Sequence, residues 1–370
     1  RVTYVRAEIV QCNYGLLSAL LYGLDVDVDV DVDVDVDVEH GGDASLRSPA
    51  FRSELRAIKL RSLANLSHHK ENKRTIMMFP GVPEVLCKSA LRASEKEREF
   101  CSILLMNLAA DAQNCVFLCK CMNGAIITAL VKLSRSCCYS GSCTAGSTRS
   151  EVSATTSARS HYGTLPLIND GEDEDEESLS SAATAAAAST SSSFATVEYV
   201  AMALQTLAFP KENRLRLVNH EKGMVVDVLL KFIRNKNNVS VRRRAAGALM
   251  NLACRETAVQ LANHLSMLST LAMAATNDPS LDVEVMNRAA SALTKLSDCI
   301  TREMSQSHSN LLTALVKAAA AASNGRNADV VTTIFRYMAR DEGNREVMAK
   351  HGGLVEALGF IVLRDMASKR

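Results

Sequence analysis

Residues Glu54 to Leu91 read ELRAIKLRSLANLSHHKENKRTIMMFPGVPEVLCKSAL. Apolar residues recur at helical spacing as far as LANLS, a short segment follows that Pro80-Gly81 stops, and Pro83 opens a third segment. The pattern predicts a long helix, a short helix and a helix of middle length. Other parts of the chain can be laid over it in register, so the question of repeats comes before any search for motifs.

With Asn65 as the anchor, the same neighbourhood returns at Asn107 (LLMNLAA), Thr206 (ALQTLAF), Asn251 (ALMNLAC), Lys295 (ALTKLSD) and Tyr337 (IFRYMAR). The intervals are 42, 99, 45, 44 and 42 residues; four suit two- or three-helix repeats, and the 99 is one repeat plus an insertion. Two positions before the anchor stand Leu63, Leu105, Leu204, Leu249, Leu293 and Phe335, and one after it Leu66, Leu108, Leu207, Leu252, Leu296 and Met338. These two columns are three residues apart and share a helix face. The next column is always small (Ser67, Ala109, Ala208, Ala253, Ser297, Ala339), as close stacking of neighbouring helices requires.

The pattern ALxNLA, then EN(K/R), about ten residues, Gly and a second apolar helix resembles the armadillo repeat. Its cleanest copies are SLANLSHHKENKRTIMMFPGVPEVL, ALQTLAFPKENRLRLVNHEKGMVVDVLL and RYMARDEGNREVMAKHGGLVEALGFI. The resemblance covers the chain outside two low-complexity insertions. It implies an all-α, right-handed superhelix of stacked three-helix armadillo-like repeats. The copies anchored on Asn251 and Lys295 lack the inter-helix Gly and carry Ser266 and Asn310 near that place.

The organisation expected from this is one solenoid over 1–370: a partial repeat at 1–24, an insertion at 25–47, repeats at 48–134, an insertion at 135–193 and repeats at 194–370. In the partial repeat, Asn13-Tyr14-Gly15 is the helix stop and Gly15 aligns with Gly81. The first insertion opens with seven Asp-Val pairs, Asp25 to Val38, and the second is rich in Ser, Thr, Ala and Gly with the acidic run GEDEDEE. Neither can fill a core, and both read as disordered. Ser48-Pro49 and Asp278-Pro279 are helix openings, and DMASKR is a frayed tail. The chain starts and stops inside repeats and reads as a fragment of a longer protein.

A chain with 4% aromatic residues and no Trp suits a core of Leu, Ala, Met and Val between helices. A formal net charge of +1 supplies no global field to recruit nucleic acid. Eleven Cys, mostly on apolar helical faces, read as reduced intracellular thiols, placing the protein in the cytoplasm, the nucleus or both. No run reaches the length of a membrane span; the most apolar one, LLTALVKAAAAAS, carries Lys317.

There is no GxxxxGK(S/T), GxSxG, HExxH or GxGxxG. Cys115 and Cys119 lie one helical turn apart, as core thiols do, and Cys121, Cys137, Cys138 and Cys143 complete no pair of CxxC motifs. The Asp repeat lacks the turn Gly and terminal Glu of an EF-hand loop. His220, His264, His308 and His351 recur near the ends of short helices and read as surface or capping residues. The chain is therefore expected to be no enzyme, to hold no cofactor and no metal, and to be a monomer.

The resemblance also implies a binding face. In armadillo proteins the long helices line a concave groove, and an Asn near their ends hydrogen-bonds an extended peptide; the matching positions here are Asn65, Asn107 and Asn251, while Thr206, Lys295 and Tyr337 depart from the pattern. Import receptors pair that Asn with a Trp four residues earlier, where this chain has Arg61, Ile103, Met202, Gly247, Ser291 and Thr333, which argues against that role. Arg243, Arg244, Arg288 and Lys295 make the C-terminal half basic, with Lys59 and Arg61 in the N-terminal half, so an acidic or phosphorylated segment is the expected ligand. The function expected is a protein-binding scaffold or adaptor. The alternatives are a structural or regulatory subunit using an edge or the convex face, and the helical regulatory part of a larger enzyme.

Overall fold

A computed structural model describes residues 14–22, 24, 48–92, 94–139, 195–264, 266–275, 282–297, 299, 309–321 and 325–368. Among these residues every regular element is a helix. The array opens with α1 (Tyr14–Leu21) and the long α2 (Pro49–Leu66). A short, a second and a long helix then follow in turn: α3 (Lys70–Met78), α4 (Val82–Arg92) and α5 (Glu95–Ala109); α6 (Ala112–Lys120), α7 (Ala125–Tyr139) and α8 (195–207); α9 (Lys211–Asn219), α10 (Met224–Arg234) and α11 (Val239–Leu252). Next come α12 (Ala258–Asn263), α13 (Met267–Ala274) and α14 (Val283–Ser297), then α15 (Ser309–Ala321) and the long α16 (Gly325–Met338), and finally α17 (Glu342–Lys350) and α18 (Leu354–Ser368).

Each class of helix packs on its own kind in the next unit. The short helices α3, α6, α9 and α12 form one file, and the second helices α4, α7, α10, α13, α15 and α18 form another. Among the long helices, α2 packs on α5, α11 on α14 and α14 on α16, while α8 is joined to α11 by Arg244–Gln205 and Ser240–Glu198 hydrogen bonds. The fold is an all-α solenoid of stacked, armadillo-like three-helix units.

The repeated columns are the spine of this stack. Leu63, Leu105, Leu204, Leu249, Leu293 and Phe335 are at most 3% exposed, and Leu108, Leu207, Leu252, Leu296 and Met338 are equally buried, with Leu66 half-buried against them. The small column is buried from Ser67 to Ser297, and Ala339 is half-buried. The Ser67 and Ser297 hydroxyls donate back to their own helices, to Ala64 O (2.7 Å) and Thr294 O (2.6 Å), so they add no unsatisfied polar group to the seam.

Local chemistry sets the boundaries. Ser48 Oγ accepts from Phe51 N (3.1 Å), with Pro49 in the first turn of α2. Ser94 and Glu97 form a capping box on α5, and the buried Glu97 carboxylate also accepts from Arg56 Nε (2.8 Å), tying α5 to α2. Between short and second helices the chain turns through the left-handed region, at φ 87° for Gly81, 90° for Gly124, 92° for Gly223 and 84° for Gly353. Ser266, at φ 60°, makes this turn where the Gly is missing.

Several boundaries differ from the sequence reading. Tyr14 and Gly15 lie inside α1 and Gly15 has no left-handed φ, so it is not the counterpart of Gly81. The opening of α14 falls at Asp282, whose Oδ1 accepts from Glu284 N (2.9 Å); Asp278 and Pro279 are outside the described residues. Helix α7 runs to Tyr139, past the expected break at 135, and α18 carries the supposed tail to Ser368. The Asp-Val run, the GEDEDEE run, Cys143, Pro166 and His308 lie outside the described residues. Ala112–Arg135 is a longer apolar stretch than the segment around Lys317. It is broken at Met122–Gly124, where three consecutive residues have positive φ, into helices of 9 and 15 residues. Each piece is shorter than the roughly 20 residues a span requires.

Leu249 is fully buried at the centre of the stack, so Leu249→Ala is expected to lower stability by about 2–5 kcal/mol in urea denaturation.

Candidate functional site

Where −2 and +1 face the spine, positions 0, −1, −4, −7 and −8 fall on the other side of each long helix. On α5 these are Asn107, Met106, Ile103, Phe100 and Glu99; on α8 Thr206, Gln205, Met202, Tyr199 and Glu198; on α11 Asn251, Met250, Gly247, Arg244 and Arg243. All are half-buried or exposed except Asn107 and Gly247. They form a strip that crosses successive units and mixes apolar, amide and charged groups.

The structure divides the expected amide ladder. Asn65 and Asn251 are half-buried, and neither side chain has a hydrogen-bond partner among the described residues. Asn107 is 6% exposed, and its Nδ2 donates to Ala64 O (3.2 Å) and Ser67 Oγ (3.1 Å) at the end of the preceding long helix. Its donor is thereby occupied in a contact with the neighbouring long helix. Lys295 makes the same connection between α14 and α11: its Nζ donates to Met250 O (3.0 Å), as Asn107 does to the carbonyl just before the previous anchor. Thr206 Oγ1 bonds back to Met202 O (2.9 Å). Tyr337 stacks under the Arg340 guanidinium, 4.4 Å from the ring centroid.

The cations are partly compensated. Arg61 is exposed and lies 6.0 Å over the Phe100 ring. Arg243 is bidentate to Asp282 (2.9 and 2.6 Å) and lies 3.5 Å from Glu284. Arg288 pairs with Glu284 and donates from Nη1 to Arg243 O (2.8 Å). Arg244 Nη1 donates to Gln205 Oε1 (3.4 Å). The Asp282 carboxyl is held below the usual range by its hydrogen bonds from Arg243. In the preceding units the charge is of opposite sign: the Tyr199 hydroxyl is pushed up by burial and by the Glu99 and Glu198 carboxylates.

Sequence reasoning missed Asp282 and Glu284, although an acid at a helix N-cap beside a neighbour's first-turn arginines signals such a pair. It also passed over the Asn of the EN(K/R) motif. Asn72 Nδ2 donates to Leu66 O (3.0 Å) and Asn213 Nδ2 to Leu207 O (3.0 Å) and Cys115 O (3.1 Å), while Thr257 Oγ1 donates to Leu252 O. These buried groups close the carbonyl ends of the long helices.

On another edge, a depression of 820 Å³ is lined by Met122, Asn123, Thr128, Arg216, His220 and Glu221, among others. His220, His264 and His351 are C-caps of short helices, as the sequence suggested. Each reaches the second helix of the preceding unit: His220 Nε2 to Thr128 Oγ1 (3.0 Å), His264 Nε2 to Asp227 (3.5 Å), His351 Nε2 to Thr313 Oγ1 (3.2 Å). A Cβ at Gly124 would lie 3.1 Å from His220, and one at Gly223 2.8 Å from His264, so the junction glycines serve both the turn and the histidine. Cys115 and Cys119 are buried core thiols; burial pushes both up to about 12, which disfavours the thiolate a metal would need.

No family model matches the chain, and no curated protein does. Among solved structures it is similar to a designed armadillo repeat protein in complex with the peptide (KR)4, at 15% identity and a TM-score of 0.49 over 87% of this chain and 98% of that one. It is also similar to computationally designed armadillo repeat proteins for modular peptide recognition (15% identity, TM-score 0.49, 87% and 99% covered) and to an engineered protein (16%, 0.47, 87% and 95%). The repeat architecture itself stands on the helix contacts described above.

Two predictions follow from these contacts. Asn107→Ala removes the buried amide that ties α5 to Ala64 O and Ser67 Oγ of α2, while Ala64 O keeps the Ser67 hydroxyl, and is expected to cost about 0.5–1.5 kcal/mol in denaturation, whereas Asn65→Ala and Asn251→Ala stay within about 0.5 kcal/mol of wild type. Burial, opposed by Glu221, holds the His220 pKa below the histidine norm, so the unfolded chain binds a proton that the fold resists. The melting temperature is expected to fall on acidification through about pH 6.5, and to fall less in His220→Gln.

Proposed function

We propose that the chain is a non-catalytic protein-binding scaffold that holds an extended segment of a partner across its long helices. One observation carries this reading: the strip on α2, α5, α8, α11 and α14 is continuous and chemically mixed. It offers apolar side chains at Ile58, Ile103 and Met202, amides at Asn65 and Asn251, and cations at Arg61, Arg244 and Arg288. An amide presents donor and acceptor together and so matches the peptide unit of an extended chain. Neighbouring helices are about 8–10 Å apart and an extended chain advances about 3.3 Å per residue, so each unit would face roughly three residues of the ligand. The similarity to armadillo repeat proteins designed for modular peptide recognition accords with such a use.

On this reading the partner segment is acidic or phosphorylated toward the C-terminal units and the protein works as a monomer. Its setting is intracellular, where the buried Cys87, Cys101, Cys115 and Cys119 stay as thiols. A second reading, binding through the edge, has the depression beside His220 in its favour.

Peptides selected from a displayed random library on the 370-residue chain separate the two. On the first reading, bound peptide protects backbone amides of α5, α8 and α11 from hydrogen exchange, and the Asn65→Ala, Asn251→Ala double variant weakens binding about ten-fold or more. Protection confined to α6, α7 and α9 with unchanged affinity would assign binding to the edge.

A further inference from the structure

Three second helices open on one pattern: IITALVK (126–132) in α7, VVDVLLK (225–231) in α10 and LLTALVK (311–317) in α15. The second and sixth residues of each are buried or half-buried, and the seventh is an exposed lysine, Lys132, Lys231 or Lys317 (α13 has Met273 at that place). Three residues further on, α7 and α10 expose Arg135 and Arg234. In α18 the matching stretch is LVEALGF (354–360), and it departs from the pattern at every outward place. Its second residue, Val355, is 74% exposed, its sixth is Gly359, its seventh is Phe360 at 65%, and Leu363 replaces the arginine at 67%. Val362 and Met366 are also more than half exposed.

These six positions span an arc of about 160° on α18, centred between Gly359 and Leu363. The opposite side, Leu354, Ala357, Leu358 and Ile361, packs on the array, chiefly against α15. One more stacked unit would cover Val355, Gly359 and Val362, the places that are buried where α10 packs on α7. It would leave the seventh and tenth places in water, as they are in α7 and α10. Phe360 and Leu363 therefore fit an occupant that lies further round the helix than a stacked unit does.

We propose that this arc of α18 docks an amphipathic helix of a partner protein, with one large apolar side chain seated over Gly359. A Cβ at Gly359 would meet nothing within 4 Å, so its backbone is the floor of an open notch, with Val355 and Leu363 one turn away on either side. Positions 355, 359, 362 and 366 step by four, three and four, the spacing at which facing helices interdigitate. Glu356 stands at the N-terminal end of the arc, where a lysine or arginine of the partner would pair with it. A second copy is the poorer occupant: one helix against one helix falls short of the roughly 1,200 Å² at which stable dimers begin, whereas recognition of an amphipathic helix needs only such a face. The proposal is independent of the long-helix strip.

The test uses the 370-residue chain and a fluorescent, hydrocarbon-stapled peptide of about 16 residues, with Leu at four-three-four spacing and Glu or Lys elsewhere. In anisotropy titrations it is expected to bind about ten-fold or more tightly than a control with Ser for each Leu. Gly359→Leu fills the notch without a clash and is expected to weaken binding about ten-fold. The Phe360→Lys, Leu363→Arg double variant, which restores the exposed cations of α7 and α10, is expected to do the same, and Lys120→Gln on α6 to change nothing. Equal binding of the two peptides, or unchanged affinity in both α18 variants, overturns the proposal. Sedimentation velocity of the unliganded chain at about 50 μM is expected to show a monomer. A dimer there that the double variant dissociates would give the arc to a second copy and overturn the partner helix.

Discussion

Long helices in this protein end inside it, and their last carbonyls must find donors within the stack. Water cannot serve a seam in which Leu207, Leu252 and Ala253 are almost wholly buried. The donors come from side chains placed one turn or one unit further on. Asn72, Asn213 and Thr257 close the +1 carbonyl of the long helix that precedes them, and Asn107 and Lys295 reach the −1 carbonyl of the previous long helix. The first set joins helices within the sequence run, and the second joins unit to unit. Without the first set, apolar stacking would leave buried acceptors such as Leu207 O and Leu252 O unsatisfied, each costing about 1–3 kcal/mol. Hydrophobic columns bring the helices together, and these bonds fix how far each is slid along its neighbour.

This division explains what could be read from residues alone. The columns at −2, +1 and +2 are a periodic property of one chain, and periodicity survives in the sequence. Helix ends with local chemistry were legible for the same reason: Ser48-Pro49 caps α2 through atoms three residues away. The partner of Asn107 was not legible. Nothing in LLMNLAA distinguishes it from Asn65 in SLANLS, because the difference lies in a helix some forty residues earlier in the chain. Gly15 misled because a glycine in register with Gly81 is only permitted, not obliged, to adopt a left-handed φ. Ser266 shows the converse, a serine in that conformation where stacking over-determines the backbone. Asp282 was hidden by the nearer Asp278-Pro279, whose opening signal was the more familiar one.

The two halves of the long-helix strip are held differently, and the difference bears on recognition. Between α2 and α5 the links are Glu97 with Arg56 and Asn107 with Ala64, each anchored on a buried side chain, Glu97 or Asn107. From α8 to α14 they lie closer to the surface: Glu198–Ser240, Arg244–Gln205, Arg243–Asp282, Arg288–Arg243 O and Lys295–Met250 O. Exposed pairs of this kind contribute at most about 1 kcal/mol each to stability, so their thermodynamic share in holding the stack is small beside that of the apolar spine. What they do is remove rotamer freedom. A free arginine loses up to about 2 kcal/mol of side-chain entropy when a ligand immobilises it. Arg244 and Arg288 have already lost part of that freedom to Gln205, Glu284 and a main-chain carbonyl, so any group that met them would find them already oriented. Bonds that barely stabilise the fold can in this way matter to binding, and they occur where the strip changes from acidic, around Tyr199, to basic.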